Sequence, residues 1–210
     1  MVHLPVLFIS SLLFTGSISG EYKLVKRDNV LSLYERWMPG ADGESVREIK
    51  AVFEVKAAIP AVIALFKDQD QGREWNINAS DYRIANGSDT RHWITYIKYD
   101  IPWPMDDQDC CLLYQYHEPA GKGETAEVMF LSTTDSRFPL LHKTTRITGT
   151  KGKSLMEPQA AGQLKITYTV TTDRSKKIPR WVSDPIIHDN LFRTMTKFKV
   201  LLENNHVYAR

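Results

Sequence analysis

The period of the hydrophobic pattern changes once along this chain, near its C-terminus. Before residue 173, apolar and polar residues alternate in several short runs, most regularly over 164–172. From Pro179 to Asn204 the apolar residues instead recur at steps of four and three, at Ile187, Leu191, Met195, Phe198 and Leu202. Alternation is typical of a strand with one buried face, and the second period is that of an amphipathic helix. The sequence therefore predicts a sheet covered by one long helix.

The remaining segments add strands and one short helix to this plan. A short helix is predicted over 60–68, where Pro60 suits the first turn. The other predicted strands are 29–38, 45–57, 82–85, 93–100, 110–117, 125–131 and 144–149. Runs of strands followed by a helix favour an α+β fold in which the helix covers one face of the sheet. Because one helix need not fill the hollow of a curved sheet, we expect an internal hydrophobic cavity.

The first 20 residues are predicted to be a secretory signal peptide, which leaves 21–210 as one domain. The apolar run over 4–14 is shorter than the ~20 residues of a membrane-spanning helix. Small residues follow it and suit cleavage before Gly20 or Glu21, although the leader contains no Lys or Arg. We expect an exported protein, periplasmic or secreted. The alternative is that the apolar run forms a buried N-terminal strand or helix.

Composition and motifs exclude several classes of protein. The net charge is +2, so no overall charge favours nucleic acid as a partner. The two cysteines, Cys110 and Cys111, are adjacent, and alternation should send them to opposite faces as free thiols. The sequence contains no HExxH, G-x-S-x-G or glycine-rich phosphate loop. We therefore expect no metal, no cofactor and no hydrolase or nucleotide chemistry.

Three predicted strands share an apolar face that carries a few hydroxyl groups. If the charged and polar members of each strand face water, the inward residues are Trp93, Thr95, Ile97, Tyr99, Cys110, Leu112, Tyr114, Tyr116, Val128 and Phe130. Walls of this kind are typical of sites for apolar ligands. The same residues would also form an ordinary hydrophobic core, so both interpretations stay open here.

Two features of the predicted surface have either a functional role or none beyond exposure to solvent. A basic cluster precedes the long helix beside Trp181 and consists of Arg174, Lys176, Lys177 and Arg180. It predicts peripheral contact with an anionic membrane surface, and the alternative is a solvated loop. Asn78 and Asn86 begin N-x-S sequons. Whether they carry glycans depends on the source of the chain.

Three stretches and one arginine together have a familiar order and spacing: 30–37 (VLSLYERW), 66–75 (FKDQDQGREW), 101–109 (IPWPMDDQD) and Arg146. On these residues, the chain from about Tyr22 to Asn204 resembles the START (steroidogenic acute regulatory protein-related lipid transfer) domain, a member of the Bet v 1-like superfamily. The resemblance implies a helix-grip fold, a curved antiparallel sheet wrapped around a long C-terminal helix. It also implies binding, transfer or sensing of a lipid, without catalysis, by a chain that we expect to be monomeric. The alternative is an enzyme of the same superfamily, similar to polyketide cyclases and aromatases.

The resemblance further implies a ligand pocket between the sheet and the long helix. The loop 133–141 would gate this pocket together with the N-terminal part of that helix. Some sterol-binding members carry a buried acid–arginine pair, whose positions fall here near Thr95 and at Tyr114, so neither charge is present. The predicted ligand-binding residues are Trp93, Thr95, Ile97, Leu112, Tyr114, Val128, Phe130, Phe138, Leu140, Arg146, Tyr168, Trp181, Leu191 and Met195.

Overall fold

The structure, a computed structural model, describes residues 20–40, 43, 45–101, 106–171 and 180–208. The predicted leader, apart from Gly20, lies outside the described residues. So do most of the proline-rich turn (102–105) and the basic residues Arg174, Lys176 and Lys177. The described side chains of the last helix begin at Asp184, so those of Arg180 and Trp181 are also outside.

The described chain forms one sheet and three helices. The strands are β1 Lys23–Arg27, β2 Ser32–Pro39, β3 Ser45–Lys56, β4 Ala79–Asn86, β5 His92–Tyr99, β6 Asp107–His117, β7 Ala126–Ser132, β8 Thr144–Arg146, β9 Lys151–Pro158 and β10 Gln163–Thr171. The helices are α1 Ile59–Phe66, α2 Gln69–Trp75 and α3 Arg180–Tyr208. None of the helices in these ranges is long and apolar enough to cross a membrane.

The sheet is antiparallel along its main path, in the order β1-β2-β3-β10-β9-β7-β6-β5-β4. Only β8 lies off this path, where it pairs in parallel with the start of β6. Helices α1 and α2 connect β3 to β4, and α3 contacts both of them as well as β1 and β3. This is the predicted helix-grip α+β arrangement, with one face of the sheet covered by helices.

The predicted strands and helices are confirmed, but two strands and one helix were missed. The sequences of β1 (KLVKR) and β9 (KGKSLMEP) hold too few alternating apolar residues to be recognised without their partners. Helix α2 was missed because it is short and contains Gly72. Asp68 is the N-cap residue of this helix, because its side chain accepts a hydrogen bond from the Gln71 N–H at 2.9 Å.

The apolar stripe of α3 is buried only in its second half. Met195, Phe198 and Leu202 are buried as predicted, but Ile187 is 38% exposed. The prediction for Ile187 was wrong because the start of α3 is held to β1–β3 by charged groups, and apolar packing begins only at Leu191 and Phe192. The contacts are the ion pairs Arg47–Asp184 (2.7 Å) and Lys26–Asp189 (2.8 Å) and a hydrogen bond between His188 Nε2 and the Glu35 carboxylate (3.0 Å).

Candidate ligand-binding site

A row of aromatic rings crosses the inner face of the sheet, the face that α3 covers. Strand register places Trp93, Tyr114 and Phe130 side by side on β5, β6 and β7. Trp93 stacks on Tyr114 with ring centroids 5.1 Å apart, and Tyr114 lies 5.3 Å from Phe130. Phe130 in turn stacks on Tyr168 of β10 at 5.5 Å. The inner face is therefore a continuous aromatic wall.

The wall continues into the helices at the end of the sheet nearest α1 and α2. Phe66 of α1 lies 5.8 Å from Tyr114 and 5.0 Å from Phe198 of α3, measured between ring centroids. Trp75 of α2 meets Phe198 edge to face at 4.9 Å. These rings fill the space between sheet and helix at this end.

The opposite end of the inner face is less completely covered. Tyr99, Ile147, Tyr168, Val170 and Leu191 pack against the core, yet each keeps part of its surface accessible. Tyr99 ends β5, Val170 is close to the end of β10, and Leu191 lies in the first half of α3. Accessible surface of the inner face is therefore present toward the start of α3, as it also is at Ile84 and Tyr116.

Neutral polar groups are spread over this apolar surface. Burial raises the pKa of the Tyr82, Tyr99, Tyr114 and Tyr168 phenols, so all four stay protonated near neutral pH. Tyr82 donates its hydroxyl hydrogen to the Phe66 carbonyl at 2.9 Å. Three further buried polar atoms near this surface have no hydrogen-bond partner among the described residues, namely Trp75 Nε1, Trp93 Nε1 and Ser154 Oγ. The Thr95 hydroxyl interacts with that of Tyr82, and Arg47 Nη1 lies 2.7 Å from Asp184 in an ion pair that lacks hydrogen-bond geometry.

Charged side chains are confined to one side of the inner face. Lys26, Glu35 and Arg47 lie on β1–β3 and pair with α3 as described above. Across β4–β7, β9 and β10, the inward side chains in the described ranges are all uncharged. No group of three His, Cys, Asp or Glu residues suited to a metal ion occurs in the part of the chain that the structure describes.

The loop predicted to be a gate lies on the other face of the sheet. Phe138 stacks on Tyr96 with centroids 5.1 Å apart and forms a separate cluster with Tyr96 and Cys111. Tyr96 alternates with the inward Thr95 and Ile97, so this cluster is on the outer face. The expected place of Phe138, between sheet and helix, was wrong, because its partners are outward residues of β5 and β6.

Arg146 fastens this loop to the sheet. Its guanidinium donates two hydrogen bonds to the carboxylate of Asp109, at 2.7 and 2.8 Å, and one to the Phe138 carbonyl at 3.1 Å. Leu140 is exposed beside an open groove of about 410 Å³ that Phe138, Pro139 and Arg146 also line. Arg146, Phe138 and Leu140 are thus brought together, but away from the aromatic wall.

The structure gathers the other predicted site residues on the inner side. They are Trp93, Thr95, Ile97, Leu112, Tyr114, Val128, Phe130, Tyr168, Leu191 and Met195. Trp181 lies outside the described side chains. Sequence reasoning missed Ser154, because β9 itself was not recognised, and Tyr82, although it shares a face of β4 with Ile84. The two cysteines are free and face opposite sides of the sheet, as predicted.

Gly152 allows the row of rings to continue across β9. It lies opposite Phe130 of β7, and a Cβ added to it would come 2.5 Å from Phe130 Cζ and also overlap the Thr169 carbonyl oxygen. We expect Gly152→Ala to destabilise the fold by about 1–3 kcal/mol, because the ring and the strand must shift. Urea unfolding measures this. Gly121→Ala is the control, since its Cβ would meet only the mobile end of Glu124. Equal stability of the two variants would contradict the packing.

Comparison with known proteins gives one relative by sequence and several by structure. No protein-family model matches the chain. An uncharacterised protein of Pseudomonas aeruginosa is 21% identical over 180 residues, which cover 86% of each chain. At this identity the alignment supports a common architecture over nearly the whole domain and assigns no activity.

Three solved structures share the architecture. A STAR-related lipid transfer protein from Xanthomonas axonopodis is 22% identical, with a TM-score of 0.73 over 86% of this chain and 98% of that chain. Human StAR-related lipid transfer protein 5 is 14% identical, with a TM-score of 0.69 over 88% of each chain. An aromatase/cyclase from a Streptomyces species is 10% identical, with a TM-score of 0.50 over 75% of this chain and 94% of that one.

Proposed function

From the premise that this chain has the helix-grip fold of START domains, we propose that it binds a lipid or other hydrophobic small molecule between its sheet and α3. One observation carries the proposal. The inner face is aromatic and uncharged from β4 to β10, holds buried polar atoms without partners, and keeps accessible surface toward the start of α3. Transfer and sensing are the two roles that such binding would serve.

The unpartnered polar atoms weigh against a purely structural core. A buried donor or acceptor without a hydrogen bond costs about 1–3 kcal/mol, so most folded proteins contain few. Here Ser154, which projects from the inner face of the sheet, is such a group. A bound molecule with an oxygen atom would satisfy such groups, and its apolar part would cover the rings.

An enzyme similar to the aromatase/cyclase neighbour is the alternative. General acid–base catalysis requires a group whose pKa is close to the working pH. Burial instead raises the pKa of the inward Cys110 thiol to about 12, which keeps it a neutral, unreactive thiol. The inward phenols are likewise held neutral. For the inward groups of β4–β10, these shifts support binding without catalysis.

Access to the site is proposed at the start of α3. Ile186 and Ile187 are exposed in the first described turns of this helix. They would insert into the apolar layer of a membrane and bring the accessible end of the inner face to the lipid. The predicted basic cluster precedes these residues in sequence, so membrane contact through this end stays part of the proposal. In this proposal, the loop that contains Phe138 does not gate the site.

Co-purification tests the proposal. The full chain is expressed, purified and analysed by native mass spectrometry, followed by extraction into organic solvent. We expect an apolar ligand in a definite molar ratio to the protein. Leu191→Trp should reduce this ratio by narrowing the space between α3 and the sheet, whereas Val200→Trp on the exposed side of α3 should not. If the protein carries no apolar molecule and takes none from offered lipid vesicles, the proposal fails.

A further inference from the structure

Resting on the proposed function, we infer that the buried part of the ligand is uncharged and ends in an alcohol or carbonyl oxygen, and that Ser154 and Tyr168 position this oxygen. The ligand class is thus a neutral lipid with one oxygen-containing end group, not a fatty acid or another anionic lipid. The inference depends on the charge of the inner face and on two adjacent polar side chains.

The inner face cannot compensate a charged end group. Moving an ion into an apolar interior is very costly unless an opposite charge accompanies it. From β4 to β10 the described inner face offers rings, aliphatic and thioether groups, a thiol, hydroxyl groups and the amides of Asn86 and Gln108, none of which is charged. The inward cations, Lys26 and Arg47, are already paired at 2.8 Å with Asp189 and at 2.7 Å with Asp184. A ligand carboxylate would therefore stay unpaired.

Ser154 and Tyr168 are neighbouring hydroxyl-bearing residues near the middle of this face. They are direct neighbours in the register of β9 and β10, where side chains on one face lie about 4.5–5.5 Å apart at Cβ. Ser154 is 1% exposed, and its hydroxyl has no hydrogen-bond partner among the described residues. Tyr168 keeps accessible surface beside it. An oxygen atom bound to the Ser154 hydroxyl would lie beside the Tyr168 side chain.

The position of the pair fits a ligand that enters with its oxygen end first. Tyr168 lies between the closed aromatic end and the accessible end near Val170. Val128, opposite Ser154 on β7, is fully buried and bounds the pair on the other side. The hydrocarbon part of the ligand would then extend toward Leu191 and the start of α3.

Three probes with the same pyrene-labelled dodecyl chain test the charge. One ends in an alcohol, one in a carboxylate and one in plain hydrocarbon, and binding is followed by pyrene fluorescence at about pH 8, where the carboxylate is ionised. We expect the alcohol to bind about tenfold or more tightly than the carboxylate. Equal or tighter binding of the carboxylate overturns the inference but leaves the proposed function standing. Failure of all three probes, together with lipid-free protein, overturns the proposed function itself.

Two variants test the role of the hydroxyl pair. Ser154→Ala should weaken binding of the alcohol about fivefold and leave binding of the hydrocarbon unchanged, without lowering the Tm, because the hydroxyl has no partner in the free protein. Thr167→Ala, at a neighbouring position on the outer face of β10, should change neither affinity. If Ser154→Ala weakens both probes alike or neither, or if it lowers the Tm, Ser154 does not position the oxygen.

Discussion

Replacing Arg146 with methionine should cost about 3–5 kcal/mol of stability and lower the Tm by roughly 10 °C or more. The Asp109 carboxylate is fully buried (0% exposed), and Arg146 supplies both of its charge-assisted hydrogen bonds from a side chain. Without the guanidinium, a buried carboxylate would remain unpaired, and the Phe138 carbonyl would lose its donor. Thermal unfolding followed by circular dichroism measures the loss.

The control for this prediction lies in the same loop. Arg137 also pairs with an aspartate, Asp135, at 2.8 Å, but its side chain is half exposed. Arg137→Met should therefore lower the stability far less than Arg146→Met, because solvent screens an exposed ion pair. Removing both buried charges, as in Asp109→Leu with Arg146→Met, should recover much of the loss, since no ion is then left in the interior. If Arg146→Met has the same Tm as the parent protein, the ion pair does not hold the loop.

Phe198→Ala should destabilise the protein by about 3–5 kcal/mol. The Phe198 ring joins α3 to both short helices, with centroids 5.0 Å from Phe66 and 4.9 Å from Trp75. Truncation leaves a cavity where three elements meet, and rigid neighbours refill such a space only in part. Urea unfolding can be followed by tryptophan fluorescence, because Trp75 is in contact with the altered site.

Val200→Ala is the matched truncation on the same helix. Val200 is 45% exposed, and its replacement should change stability by no more than about 0.5 kcal/mol. A similar loss in the two variants would mean that α3 does not pack through its Met195–Phe198–Leu202 side. Retention of most of the stability in Phe198→Ala would show that the two short helices are not anchored by this ring.

Several features of the molecule follow from short-range patterns in the sequence. Alternation over 45–57 and 164–172 predicted β3 and β10, and it also predicted which residues face inward. The recurrence of apolar residues every three or four positions from Pro179 to Asn204 predicted α3. These inferences succeed because side-chain direction within a strand or helix repeats with a fixed local period. The inward placing of Trp93, Tyr114 and Phe130 needed no knowledge of their partners.

The sequence by itself determined the fold class, the inward set of the central strands and the opposite directions of Cys110 and Cys111. Only the tertiary structure decided that Phe138 packs on the outer face, that Arg146 pairs with Asp109, and that Ile187 is left exposed by the ion pairs beneath α3. It also placed Ser154 beside Tyr168, on a strand that its own sequence does not reveal. Each of these depends on contacts between segments far apart in the chain. The hydrophobic period of a segment determines which of its residues share a face. It carries no information about which distant segment will cover that face.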